Sequence, residues 1–340
     1  MKTLSGFLHG VNLGGWLSQC NHTKDRYENF IREEDIKKIE GWGLDHIRVP
    51  VDYDLIETKE GERKEEGYVY LDRAVAWCRK YGLNMILDLH KTAGFSFDDG
   101  EQESGFFEDE KYQERFFKIW DDFAERYGGD SGMLAFELLN EVTDKAYCAK
   151  WNELAGKCIK RIRAKCPDIK ILVGGYYNNS VIAVPDIDVP YDENIVYNFH
   201  CYEPLIFTHQ GAAWIAGMDT EFRIGINATV GEMREATKTQ CGMEFTGDLA
   251  DDKYIDENYF EKLFKDAIKT ADEKDVYLYC GEYGVIEKSD PAEQLKWMQT
   301  ISNVFNKHGI GRAVWSYKEM DFGIIDTRLD AVRSKLLGLL

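Results

Sequence analysis

The chain has 340 residues, of which 44% are hydrophobic and 30% charged, so it contains enough apolar material for a large globular core. Its 61 acidic residues outnumber 42 basic ones and give a net charge of −19, which argues against partners that attract Lys and Arg. We therefore expect no binding to nucleic acid or to an anionic membrane, and a neutral substrate instead.

The N-terminal residues MKTLSGFLHGVNLGGW contain no apolar signal region and no small-residue cleavage site. With no signal peptide in this chain, we expect either a cytoplasmic protein or a secreted one whose signal has been removed. The 8 cysteines include no CxxC pair, and most of them are expected to be buried free thiols.

Short apolar segments alternate along the chain with amphipathic ones. The predicted strands are 8–13, 45–50, 84–89, 134–139, 169–174, 195–200, 276–282 and 311–316. The predicted helices are 33–42, 70–81, 110–127, 147–165, 258–274 and 291–307. This alternation is typical of an α/β fold, the (β/α)8 TIM barrel, and we predict a single catalytic domain over residues 1–340.

One interval between predicted strands is unusually long. Residues 202–259 contain no convincing strand and are rich in Gly, Thr, Met and charged residues. A structureless loop of this length is improbable in a compact domain. We predict an inserted, partly helical subdomain at 204–258, after the sixth strand and on the catalytic face of the barrel.

Two glutamates follow apolar strand-like segments. Glu141 comes after LAFELLN (134–140), and Glu282 lies within YLYCGEYGV (277–285). A carboxylate beside a buried strand is costly because burial disfavours its charged form. A pair of carboxylates is what hydrolysis of a glycosidic bond requires. The alternative is two unrelated acidic residues at strand ends, in a chain with 61 of them.

Polar and aromatic residues also end other predicted strands, where the active site of such a barrel is built. The whole set is Asn12, Arg48, His90, Asn140, Glu141, His200, Tyr202, Glu282 and Trp315. The motifs around it are GVNLGGW (10–16), DHIRVPVDY (45–53), ILDLHKTAG (86–94), FELLNEV (136–142), YNFHCYEP (197–204), YCGEYGV (279–285) and AVWSYKEMDFGI (313–324). In this order they resemble glycoside hydrolase family 5, including its clostridial endoglucanases.

The resemblance implies specific roles for the polar residues. Glu141 would be the general acid and base, and Glu282 the nucleophile that forms a covalent glycosyl–enzyme, so that anomeric configuration is retained. Arg48 would hold Glu282 ionised through a charge-assisted hydrogen bond. Tyr202 would donate to the same carboxylate.

The remaining residues would contact substrate. Asn140 would hydrogen-bond the sugar 2-hydroxyl, and His90 and His200 would line the subsite of the reacting sugar. Trp315 would place its face under that ring. Trp214, in the predicted insertion, is either a sugar platform beyond the cleavage point or an anchor that holds the insertion to the barrel.

Three further residues have open or structural interpretations. His46 precedes its strand, and we assign it a structural role. Trp16 either packs in the barrel or contacts substrate. Lys91 stands where many relatives carry another residue, and it either donates to a sugar hydroxyl or faces solvent.

The resemblance implies a monomeric retaining β-glycosidase that hydrolyses internal β-1,4 bonds of cellulose-type or mixed-linkage glucans and cello-oligosaccharides. It would need neither a cofactor nor a metal. Within the family, a β-mannanase or a β-1,3-glucanase would have the same catalytic set. Two other classes remain: a metal-dependent barrel hydrolase using His90 and His200, and a barrel that only binds glycans.

Overall fold

The computed structural model describes residues 1–98, 100–101, 103–189 and 192–340. Its strands are β1 (His9–Asn12), β2 (His46–Asp52), β3 (Asn84–Lys91), β4 (Leu134–Glu137), β5 (Lys170–Val173), β6 (Ile195–Cys201), β7 (Tyr277–Tyr283) and β8 (Gly311–Val314). Each strand pairs in parallel with the next, and β8 pairs with β1, so the sheet over these residues closes into a barrel. The predicted (β/α)8 fold is confirmed.

The helices surround this barrel. They are α1 (Lys24–Asn29), α2 (Glu33–Gly41), α3 (Tyr53–Ile56), α4 (Glu65–Tyr81), α5 (Glu110–Tyr127), α6 (Cys148–Lys165), α7 (Tyr176–Asn179), α8 (Leu205–Thr208), α9 (Val230–Cys241), α10 (Glu257–Lys274), α11 (Pro291–His308) and α12 (Arg333–Leu337). Short 3-10 segments lie at Gly128–Asp130, Lys145–Tyr147, Val181–Asp186 and Thr327–Leu329.

Local sequence signals set the ends of the long helices. The carboxylate of Asp290 accepts hydrogen bonds from the backbone amides of Ala292 and Glu293, and Pro291 stands at the first position of α11. Gly309, with φ of 65°, ends the same helix in the left-handed conformation that glycine adopts without strain. These signals explain why the predicted helix 291–307 agrees with the observed one.

The core has two layers, because successive side chains of each strand point to opposite faces of the sheet. The inner layer fills the barrel, and the outer layer, which is much larger, packs the sheet against the helices. The inner cluster consists of Ile86, Ala135, Leu172, Val196, Tyr279 and Ala313, together with Leu4 and Phe7 from the N-terminal segment.

Helices α8 and α9 lie in the long segment between β6 and α10. Thr229 caps α9 and forms a reciprocal capping box with Glu232. The apolar side chains of Val230 and Met233 are buried, so α9 packs against its surroundings. The segment is partly helical as expected, while its boundaries at 204–258 as a subdomain stay a prediction.

A membrane-spanning helix requires length and apolar character together. None of the helices within the described residues combines the two.

Two glycines in helices test the packing of the outer layer. A Cβ on Gly67 of α4 would lie 2.0 Å from the carbonyl oxygen of Leu55, whereas a Cβ on Gly41 of α2 would have nothing within 4 Å. We expect Gly67→Ala to lower the free energy of unfolding by about 1–3 kcal/mol through overpacking. Gly41→Ala should leave it unchanged or raise it by up to about 1 kcal/mol. Denaturant titration of both variants checks this, and equal effects would contradict the described packing.

Candidate active site

The guanidinium of Arg48 lies fully buried at the carboxyl ends of the strands. It donates to both carboxylate oxygens of Glu137, from Nε at 2.7 Å and from Nη2 at 2.8 Å. Its Nη1 donates to Glu282 Oε1 at 2.7 Å and to Asn12 Oδ1 at 2.9 Å. Its Nη2 also donates to Asn140 Oδ1 at 2.9 Å. Residues predicted at four strand ends therefore meet at one side chain.

Glu282 comes from β7 and has a second donor. The hydroxyl of Tyr202 donates to Glu282 Oε2 at 2.9 Å, so each carboxylate oxygen accepts a hydrogen bond. Burial raises the pKa of Glu282 to about 7, although Arg48 and Tyr202 both favour the charged form.

Glu141 lies a few residues beyond β4 and has a left-handed backbone, with φ of 44°. Its Oε2 accepts a hydrogen bond from Asn178 Nδ2 at 3.2 Å, and its Oε1 lies 2.7 Å from His200 Nδ1. Burial raises the pKa of Glu141 to about 7. A carboxylate oxygen of Glu141 lies within 4.8 Å of one of Glu282, so the predicted pair is brought together.

The two histidines both lie in the site with their rings fixed. Burial lowers the pKa of His200 to about 4, so its imidazole is neutral near pH 7. Among the described residues, His200 Nε2 has no hydrogen-bond partner. His90 Nδ1 lies 2.6 Å from Asp88 Oδ2, and its ring is parallel to Trp315 with centroids 5.8 Å apart.

The sequence analysis missed residues that complete this arrangement. Glu137 forms an ion pair with Arg48, and Asp88 Oδ2 lies 3.0 Å from Arg48 Nη2. Asn198 donates to Glu137 Oε1 at 2.8 Å. The available signal was a charged or amide side chain inside an apolar strand, as in ILDL, LAFELL and IVYNF. Such a residue is costly to bury unless it is paired.

The tryptophans separate clearly by exposure. Trp315 is nearly buried beside the site, whereas the side chain of Trp214 is 55% exposed and contacts the ring of His209 edge-on at 6.2 Å. Trp16 is completely buried and donates from Nε1 to the carbonyl oxygen of Tyr27 at 2.8 Å. Of its two interpretations, packing in the core is therefore the correct one.

Lys91 and His46 also have defined surroundings. The side chain of Lys91 is buried and pairs with Glu101, so the interpretation that it faces solvent is wrong. His46 is buried, with Nδ1 2.6 Å from Asp45 and Nε2 2.6 Å from the hydroxyl of Tyr279. That arrangement fits the structural role predicted for His46.

Within the described residues, two groups of side chains could present ligands to a metal ion: Glu141 with His200 and Glu282, and His22 with Asp52 and Asp54. In the first group, Arg48 places a full positive charge 2.7 Å from Glu282 Oε1. A cation there would compete with the guanidinium for the same carboxylate. This geometry disfavours a metal ion in the first group.

Replacing Arg48 tests the dependence of the site on its charge. In Arg48→Met, Glu137 and Asp88 would be buried without a counter-charge, and we expect the free energy of unfolding at pH 7 to fall by about 3–5 kcal/mol. The loss should shrink at acid pH, where these carboxyls become protonated. The control is Arg161→Met, which removes partly exposed ion pairs with Glu114 and Asp121 and should cost under about 1 kcal/mol. Equal losses in urea titrations at pH 7 would contradict this account.

Comparison with known proteins identifies the family. The sequence profile described as Cellulase (glycosyl hydrolase family 5) matches residues 9–321. The chain is 48% identical over 307 residues to Cellodextrinase A of Ruminococcus flavefaciens, covering 90% of this chain and 84% of that protein. It is 38% identical over 343 residues to Endoglucanase C of Acetivibrio thermocellus, covering 98% of each. The solved structure of endoglucanase Cel5A from Thermotoga maritima has the same fold, with a TM-score of 0.77, 23% identity, and coverage of 98% and 97%. The chain belongs to glycoside hydrolase family 5, the cellulase family.

Proposed function

We propose that the protein is a retaining endo-β-1,4-glucanase acting on cellulose-type and mixed-linkage glucans and on cello-oligosaccharides. The observation that carries this proposal is the approach of Glu141 and Glu282, since one carboxylate oxygen of Glu141 lies within 4.8 Å of one of Glu282. Retaining glycosidases place their two carboxyl groups about 5–5.5 Å apart, whereas inverting ones leave roughly 6.5–9.5 Å for a water molecule. Oxygens this close to one another support the retaining arrangement and covalent catalysis.

Glu282 serves as the nucleophile. Its carboxylate attacks the anomeric carbon and forms the glycosyl–enzyme as the glycosidic bond breaks. Arg48 and Tyr202 hold one oxygen each, which orients the carboxylate and favours its ionised form.

Glu141 serves as the general acid. Burial raises the pKa values of Glu141 and Glu282 to about 7, so the pair can hold a proton near neutral pH. The proton resides on Glu141, because Glu282 accepts from the charged Arg48 and from Tyr202, whereas both partners of Glu141 are uncharged: the amide of Asn178 at 3.2 Å and the imidazole of His200 at 2.7 Å. Glu141 gives this proton to the leaving oxygen, and then takes one from the water that hydrolyses the intermediate.

The sugar contacts are assigned to polar and aromatic side chains around the two carboxylates. Asn140 has its Oδ1 fixed by Arg48, while its Nδ2 has no partner within the described parts of the chain, so it can donate to the sugar 2-hydroxyl. His90 and His200, whose Nδ1 lies 2.7 Å from Glu141 Oε1, line the same space. Trp315 offers an aromatic face to the reacting sugar. The exposed ring of Trp214 supports its interpretation as a platform further along the cleft.

The assignment to β-1,4-glucan rests on the relatives. Cellodextrinase A is named for action on cellodextrins and Endoglucanase C for internal action on glucan, and the chain covers most of each. Catalytic residues alone do not separate glucan from mannan or β-1,3-glucan, because such enzymes would have the same pair.

Digestion of matched hexaoses tests the function. We expect internal cleavage of cellohexaose, with little cleavage of mannohexaose or laminarihexaose, and loss of activity on the order of 10⁴-fold in Glu282→Gln. The matched control is Glu273→Gln, an exposed residue at the end of α10, which should retain full activity. Preference for another hexaose would overturn the substrate, and an active Glu282→Gln would overturn the nucleophile.

The pH dependence tests the acid. Because Glu141 acts in its protonated form and burial raises its pKa to about 7, kcat/KM for cellohexaose should fall as the pH rises through about 7. The fall at low pH should report protonation of Glu282. In Glu141→Gln, an aryl cellobioside whose leaving group needs no proton should react without the alkaline fall. Persistence of that fall in the variant would assign it to another group.

A further inference from the structure

Strand β7 contains one more residue than either neighbour at the point where it reaches the active site. Along β6, Phe199 pairs with Cys280 but His200 pairs with Glu282, so Gly281 is passed over. Along β8, the pairing shifts in the same interval, between Cys280 and Tyr283. An extra residue opposite both neighbours is a β-bulge centred on Gly281.

The bulge reverses the direction of the next side chain. Tyr279 points into the barrel and Cys280 points out toward the helices, as their membership of the inner and outer clusters shows. Regular alternation would place Gly281 inside and Glu282 outside. Because of the extra residue, Glu282 instead points inward to meet Arg48, and Tyr283 packs in the outer cluster.

Two buried asparagines hold the bulge. Asn198 Oδ1 accepts from the backbone N–H of Gly281 at 3.0 Å, and Asn12 Nδ2 donates to the Gly281 carbonyl oxygen at 2.9 Å. A bulged residue has lost its regular ladder partners, and buried backbone groups need others. A Cβ on Gly281 would lie 2.8 Å from Asn198 Oδ1, so only glycine lets the amide approach this closely.

The other polar atom of each amide hydrogen-bonds a residue next to Glu282. Asn12 Oδ1 accepts from Arg48 Nη1 at 2.9 Å, the same nitrogen that donates to Glu282. Asn198 Nδ2 donates at 2.8 Å to Glu137, which forms a bidentate ion pair with Arg48. Each amide therefore bonds the bulge through one atom and a neighbour of Glu282 through the other. Asn12 Nδ2 also donates to the carbonyl oxygens of Ala313 and Val314 on β8.

We propose that Asn12 and Asn198 are positioning residues that aim Glu282 at the anomeric carbon by clamping the bulge at Gly281. This inference rests on the proposed role of Glu282 as nucleophile. Neither asparagine needs to contact substrate, and each requires both a donor and an acceptor. An ionised aspartate has the same shape but no donor, so it cannot replace either one.

The test is the pair Asn12→Asp and Asn198→Asp, assayed with an aryl cellobioside that needs no acid and with a 2-deoxy-2-fluoro cellobiosyl fluoride that traps the glycosyl–enzyme. We expect kcat/KM and the trapping rate each to fall about 100-fold, as for a displaced reacting group, with the loss in kcat rather than KM. The decrease of kcat/KM at low pH should move to higher pH, because an added carboxylate raises the pKa of Glu282.

The matched control is Gln113→Glu. Gln113 is a buried amide on α5 whose Nε2 donates to the backbone carbonyls of Phe106 and Phe107, remote from the bulge. The Gln113→Glu variant loses the same kind of amide donor. It should have a lower melting temperature, with kcat/KM and its decrease at low pH unchanged. Asparagine variants that behave like this control would overturn the proposal.

A third variant, Gly281→Ala, keeps the proposal testable if either aspartate variant fails to fold. Its methyl group would lie 2.8 Å from Asn198 Oδ1 and 3.0 Å from His200 Nε2, and the variant should show the same loss of trapping rate. Normal trapping in Gly281→Ala would contradict the clamp. An active Glu282→Gln would instead refute the role of the nucleophile itself, whatever the asparagine variants do.

Discussion

Burial of the Arg48 charge is the constraint on which the rest of the site depends. A guanidinium removed from water is tolerated only when its donors are paired, and Arg48 pairs with carboxylates that come from β3, β4 and β7. Both carboxylate oxygens of Glu137 accept hydrogen bonds, from Nε and Nη2 of Arg48. This leaves Nη1 to donate to Glu282. One buried cation therefore sets the relative positions of residues from opposite sides of the barrel.

The same burial creates the proton chemistry. Around Arg48 the described residues present more carboxylates than one guanidinium can neutralise, and desolvation raises the pKa values of Asp88, Glu141 and Glu282 to about 7. The site therefore holds protons at a pH where exposed carboxyls have lost them. Hydrogen bonds then distinguish otherwise similar groups. Glu282 has Arg48 and Tyr202, whereas Glu141 faces the neutral imidazole of His200.

The regular barrel sets where the two catalytic glutamates lie, and local irregularities of the backbone set the directions of their side chains. The bulge at Gly281 turns Glu282 inward, and the left-handed backbone of Glu141 starts its side chain from a conformation that costs energy for a non-glycine residue. Both departures occur at the carboxyl ends of strands, where loop variation does not disturb the packed layers below. A rigid scaffold with local irregularities gives the two carboxylates their separation.

The sequence by itself determined the strands, the long helices and the strand-end residues that meet around Arg48, because these depend on local periodicity and on position along a strand. It did not determine that Glu137 and Asp88 pair with Arg48, or that Asn198 bonds Glu137. The sequence of one strand does not reveal which residue of another strand pairs with its buried charge. It left Trp16 open, and only the buried environment of its ring decided for the core. The direction of Glu282 was likewise decided by tertiary structure, because a one-residue bulge appears only when β7 is paired with both neighbours.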